Sequence, residues 1–120
     1  GFRKVAAFDA TLANYTDFAS IGVVGTANPN TIYIQTQKTT AGVVQTDTTQ
    51  TVADGVAINF TVKVSAAGVV TYLVNDAAPT VTAAYTFTTA LNVIPFLRFT
   101  EASDESTYAS CNYFEIGYQA

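Results

Sequence analysis

The chain has 120 residues, of which 49% are hydrophobic and 12% charged, with a net charge of −4. That balance is too apolar for a disordered chain and too acidic to favour a phosphate backbone or an anionic membrane surface. With no histidine and Cys111 as the only cysteine, it excludes a Ser-His-Asp or Cys-His triad, a His-ligated transition-metal site and an intrachain disulfide.

The length suits one domain over residues 1–120. The opening GFRK shows neither an initiator Met nor a signal-peptide pattern, so a processed product or an excised domain is expected. Val, Thr, Tyr and Phe are abundant, and these fit pleated surfaces. No run approaches the ~20 apolar residues that span a bilayer.

In chain order, residues 3–10 (RKVAAFDA) predict an opening strand. Residues 11–18 hold turn formers at Asn14 and Asp17 and favour no single element. The apolar run 19–25 (ASIGVVG) predicts a short buried strand ended by Gly25. Residues 26–30 (TANPN) predict a turn, because Asn and Pro each pre-set a reversal. Ile32 and Ile34 alternate with Tyr33 and Gln35, which predicts a strand over 31–37. Residues 38–42 turn it. The Thr-rich stretch 42–52 (GVVQTDTTQTV) predicts an exposed or edge strand, with a break near Asp47.

Residues 57–76 carry the strongest local pattern. Ile58, Phe60, Val62 and Val64 alternate with Asn59, Thr61, Lys63 and Ser65, so one face is oily and the other wet. Ala66-Ala67-Gly68 interrupts the pattern, and Val70, Tyr72 and Val74 resume it before Asn75-Asp76. This predicts a β-hairpin turning at Gly68. Residues 77–79 (AAP) predict a loop, and 80–88 (TVTAAYTFT) a further strand. Residues 91–100 (LNVIPFLRFT) are apolar, but Pro95 confines them to an edge or bulge. An acidic loop over 101–109 and a closing strand over 110–119 complete the chain. Cys111 on that strand is expected to be a small buried hydrophobe. Eight to nine short strands with frequent turn signals predict an all-β protein, an antiparallel β-sandwich.

The order of these signals resembles the concanavalin A-like jelly roll of lectins and laminin-G-type domains. Ile21-Gly22 follows an early strand. Val62, Val64, Gly68, Val70, Tyr72, Val74 and Asn75 form the strand-turn-strand of that pattern, with Pro79 after it. Val93, Pro95 and Phe96 begin the closing segment, and Glu115-Ile116-Gly117-Tyr118-Gln119 ends it. More narrowly, the runs GFRK, TDTT, ADG, APTVTAA, IPF and EIGYQ look like C-terminal parts of structural proteins of tailed bacteriophages, many of them marine. The resemblance implies a non-enzymatic virion surface protein, in a capsid decoration or an appendage. Its expected partners are other virion proteins and copies of itself.

The jelly-roll glycosidases carry alternating carboxylates on one strand. Glu101, Asp104 and Glu105 depart from that spacing, so a solvated loop is expected rather than catalysis. No cofactor is expected. If a metal binds, Asp9, Asp17, Asn28, Asn30, Asp47 and Asp54 offer the hard oxygens that suit Ca²⁺, although no EF-hand spacing is present. Tyr15, Tyr33, Tyr85, Tyr108 and Tyr113 are candidate platforms for a glycan, and they support the alternative of a lectin-like module for adhesion to a host surface. For assembly, the edge residues Thr46, Asp47, Thr48 and Thr49 are the candidate interface. Asp47 is the only charge on that stretch, so the edge is expected to be poorly guarded against pairing.

Overall fold

The structure, a computed structural model, describes residues 1–25, 30–39, 41–100 and 111–117. Among them, seven strands form: β1 (Phe2–Lys4), β2 (Asp17–Val23), β3 (Thr31–Lys38), β4 (Val44–Thr51), β5 (Phe60–Val64), β6 (Val70–Val74) and β7 (Val93–Pro95). The only helical piece among the described residues is a 3-10 turn, Leu12–Asn14. The chain is all-β, and every strand pairing is antiparallel. One sheet has the order β4-β3-β2-β1-β7, and the other joins β5 to β6.

The two sheets share one core. Ile21 lies opposite Ile34, and Ala19 opposite Thr36, so β2 and β3 present the same face inward. There Ala19 and Ile34 meet Val70 and Tyr72 of the second sheet, with Tyr85 and Phe87 packed beside them. Tyr85 and Phe87 meet edge to face, 4.9 Å between centroids.

Around Phe18 the outer face of the large sheet is buried too. Along it Phe18 is flanked by Arg3 and Gln37 on the neighbouring strands. The chain after β1 folds back over this row. The Arg3 guanidinium sits 4.3 Å from the Tyr15 ring centroid. The Tyr15 hydroxyl donates to the Asp9 carbonyl, and the Asp9 N–H donates to the Tyr15 oxygen at 2.7 Å. Gln37 Nε2 donates to Ala13 O. Asp9 in turn braces the 3-10 turn, accepting from Thr11 N–H and Asn14 Nδ2. Those hydrogen bonds, first of all the one from Thr11, hold its carboxyl below the usual aspartate range.

This fold-back explains why the strand expected over 3–10 stops at Lys4. Arg3 Nη1 donates to the carbonyls of Lys4 and Ala6, which turns the chain out of the sheet. Arg3 is buried, and its cation is solvated by those carbonyls and the Tyr15 ring rather than by water.

The hairpin over 57–76 forms as its alternation predicts. Phe60 pairs with Val74, Val62 with Tyr72 and Val64 with Val70. At the turn Gly68 N–H donates to Ser65 O, and Ser65 N–H donates to Val69 O. Gly68 takes φ +80°, the left-handed residue that closes a three-residue hairpin loop. Burial is unequal across the pair. Val70, Tyr72 and Val74 are buried, whereas β5 is a half-buried edge.

Asn75 and Asp76 end β6 by turning it. Both have positive φ, and Val74 and Ala77 exchange both backbone hydrogen bonds across them. That is a type I′ turn, for which Asn and Asp are suited. The following chain runs back along β6. Pro79 has no N–H to continue a ladder, and the strand expected over 80–88 does not form. Only its end rejoins, through Val70 N–H to Tyr85 O and Phe87 N–H to Gly68 O.

Three further expectations are corrected. The strand expected over 91–100 shortens to β7, with Pro95 at its end and at the sheet edge, as a proline requires. Residues 111–117, expected in a closing strand, join no sheet among the described residues, and all are exposed. Cys111, expected to be buried, is therefore exposed as well. The turn at 26–29 and the acidic loop at 101–109 lie outside the described residues.

The buried tyrosines set an alkaline limit. Burial, then the negative charge of Asp17, pushes the Tyr85 phenol up to about 12. Burial shifts Tyr72 upward as well. An unfolded tyrosine ionises near about 10. A raised folded value favours the protonated native state, so this contribution is intact below about pH 10 and is lost as pH rises toward and through the folded values. Cooperative loss of β circular dichroism is expected in that window, together with the late phenolate absorbance of these two residues. Full phenolate titration by pH 10 with the fold intact would contradict it.

Candidate interaction surface

Among the described residues three strands present a free edge: β4 and β7 at the ends of the large sheet, and β5 in the small one. The predicted interface residues lie on β4. From Val44 to Asp47 the strand pairs regularly with β3, and Gln35 Nε2 donates to Gln45 Oε1. The register then shifts, because Tyr33 faces Asp47 but Thr31 faces Thr51. Ile32 alone therefore opposes Thr48, Thr49 and Gln50, which is a β-bulge.

The bulge is held by its own threonines. Thr48 is fully buried, and its hydroxyl donates to Ile32 O at 2.7 Å. The Thr48 hydroxyl oxygen in turn accepts the Gln50 N–H. Thr49 takes φ +63°, a conformation that costs a β-branched residue energy. Asp47 Oδ1 offsets part of that cost by accepting the Thr49 N–H at 2.7 Å. Thus Asp47 and Thr49 are exposed, Thr46 is half-buried opposite Ile34, and Thr48 points inward. The edge expected to be poorly guarded carries a guard after all, since a bulge twists an edge away from strand addition. Replacing Thr48 with valine keeps the shape but strands the Ile32 carbonyl and the Gln50 N–H. A loss of about 1–3 kcal/mol is expected. A chemical-denaturation midpoint unchanged from wild type would show that these bonds contribute nothing.

The other free edges carry guards of other kinds. Pro95 removes a donor from β7, and the exposed Lys63 sits within the five residues of β5.

The remaining candidates separate. Glu101, Asp104, Glu105, Asn28 and Tyr108 lie outside the described residues. Among the described residues, no group of three or more Asp, Glu or Cys is placed to hold a metal ion. Asp9 accepts the Thr11 N–H, Asp47 accepts the Thr49 N–H in the bulge, and buried Asp17 accepts the Thr39 N–H. Tyr15, Tyr33 and Tyr85 are buried, and the Tyr85 hydroxyl donates to Gln37 O. Tyr113 is exposed, with its hydroxyl bonded to the Glu115 carboxylate. An open groove of about 390 Å³ runs between Thr36–Lys38 and Ala84–Thr86, where Lys38 Nζ already donates to Thr86 O. Among the described residues no helix is long and apolar enough to cross a membrane.

Sequence patterning did not anticipate an exposed apolar set. Phe8 is 86% exposed, Tyr113 76% and Leu97 65%, and Phe99, Phe114 and Ile116 are each more than half exposed. Arg98 donates to Ala10 O, which ties the stretch of Leu97 and Phe99 to the stretch of Phe8. The available signal was the number of large apolar residues in 91–119, more than a three-residue strand can bury.

No protein-family model, no curated protein and no solved structure matches the chain.

Proposed function

We propose that this chain is a non-enzymatic structural module of a tailed-bacteriophage virion, a concanavalin A-like sandwich on the particle exterior that works by contact with its neighbours. The phage context and the jelly-roll assignment rest on the sequence resemblance. The observation that best supports an assembly role is the exposed apolar set Phe8, Leu97, Phe99, Tyr113, Phe114 and Ile116. Single exposed hydrophobics are ordinary, but six large ones concentrated in a few stretches mark a surface that another molecule covers. Decorating a particle multiplies such contacts, so weak individual ones suffice.

Immunogold electron microscopy on intact particles of the presumed phage tests the reading. Label over the head supports capsid decoration, and label at the tail supports an appendage. Particles without label, with the epitope accessible, overturn a virion-surface role. One observation favours a second reading, a lectin-like module. Tyr113 and Phe114 are exposed beside the Glu115 carboxylate, an aromatic and acidic pairing suited to a sugar face. Glycan-array binding lost on Tyr113→Ala would move that reading to first place.

A further inference from the structure

We propose that the partner of the apolar surface is a second copy of this chain, and that the two copies exchange their 111–117 segments. Tyr113, Phe114 and Ile116 of each copy would cover Phe8, Leu97 and Phe99 of the other. The inference rests on the assembly reading above and names its contact.

Four observations carry it. First, the apolar side chains of donor and acceptor are both exposed, and residues 111–117 join neither sheet. Second, the obvious alternative for an extended segment is to add to a sheet edge. The β4 edge is bulged, β7 ends in Pro95, and β5 carries Lys63, so side-chain docking is the more open route. Third, the charges are complementary. Glu115 lies among the donor's apolar residues, and the exposed Arg98 lies between Leu97 and Phe99 of the acceptor. Arg98 spends one nitrogen on Ala10 O and retains other donors for a carboxylate. Fourth, ten residues separate Thr100 from Cys111. A chain of that length reaches at most about 33–36 Å, enough to pass to an adjoining copy. Because each copy carries both halves of the contact, two copies related by a two-fold axis satisfy each other and the assembly closes.

The test is the mass of the full 120-residue chain in solution, by sedimentation equilibrium. Wild type is expected to be a dimer. A donor variant, Phe114→Ser with Ile116→Ser, and an acceptor variant, Phe8→Ser with Phe99→Ser, are each expected to be monomeric. All four positions are exposed, and unchanged circular dichroism verifies folding. Mixing the two variants is the decisive step. Each retains the half that the other lacks, so a one-sided heterodimer is expected to reappear. Glu115→Lys alone is expected to weaken the wild-type dimer at least tenfold, through repulsion by Arg98.

A monomeric wild type at all concentrations overturns the exchange, as does a dimer indifferent to both variants. So does a mixture that stays monomeric. These failures are separable from failure of the virion reading. A monomer whose antibody still labels particles leaves that reading standing. A dimer that obeys the mixing experiment, but labels no particle, leaves the exchange and removes the virion.

Discussion

Replacing Phe18 with alanine is expected to destabilise the folded monomer by about 3–5 kcal/mol, whereas the same change at Phe8, measured at concentrations where the chain is monomeric, is expected to fall within about 0.5 kcal/mol of wild type. Both residues are phenylalanines in the first twenty positions, and neither local sequence nor β propensity separates them. Burial does: Phe18 is 0% exposed and Phe8 86%. Phe18 lies on the outer face of β2, between Arg3 and Gln37, beneath the stretch that carries Tyr15. Truncation leaves a cavity bounded by two polar side chains already committed to Ala13 O and to the carbonyls of Lys4 and Ala6. They cannot collapse into the space without giving up those bonds. Since a domain of this size is stable by about 5–15 kcal/mol, the variant should show a large drop in urea midpoint. Equal effects at the two positions would mean that the outer face of the sheet is not a core layer.

Gly68→Ala is expected to cost about 2–4 kcal/mol, more than the usual penalty for a left-handed alanine. Two constraints meet at this residue. Its φ of +80° disfavours any side chain, and a Cβ built there would lie 2.6 Å from the Phe87 carbonyl oxygen. That oxygen belongs to backbone, so relief requires the segment to move. The Phe87 N–H to Gly68 O bond would be strained with it, and the Phe87 ring would lift off Tyr85. Gly55→Ala offers a control. It has a similar φ of +73° but open space where the Cβ would go, so only the conformational part of the cost is expected there. Matching midpoints for the two variants would remove the steric half of the argument.

The parts of the fold legible in the sequence are those in which the deciding interactions are local. The hairpin announces itself through its alternation and through Ala67-Gly68, because a period of two and a left-handed glycine are properties of a few neighbouring residues. The strand at Ile32 and Ile34 is equally clear, yet its alternation with Tyr33 and Gln35 reads as one wet face. The structure buries Tyr33 and Gln37 as well. What covers the end of that face near Gln37 is the stretch of Ala13 and Tyr15, and no periodicity in 31–37 encodes it. The edge position of β4 and the break near Asp47 were readable from Thr-rich, weakly charged sequence. The bulge was not, because a left-handed Thr49 has no compositional signal. It is held by an Asp47 side chain and by a Thr48 hydroxyl reaching to the next strand. The alternation in 113–116 describes a segment able to be a strand, but a strand also needs an edge to pair with, and that partner is not a local property.

The place of β1 in the sheet also governs when the sheet can be finished. β2, β3 and β4 follow one another in the chain and pair in that order, so each waits for only the next few residues to arrive. β1 instead lies between β2 and β7, with Phe2 facing Pro95. A polypeptide emerging from the ribosome therefore exposes one side of β1 until roughly ninety further residues have been made. Ladders of such long sequence separation are slow to close. The meander is expected to form early and the β1–β7 seam late, which makes the nascent chain most vulnerable to misassociation along that seam.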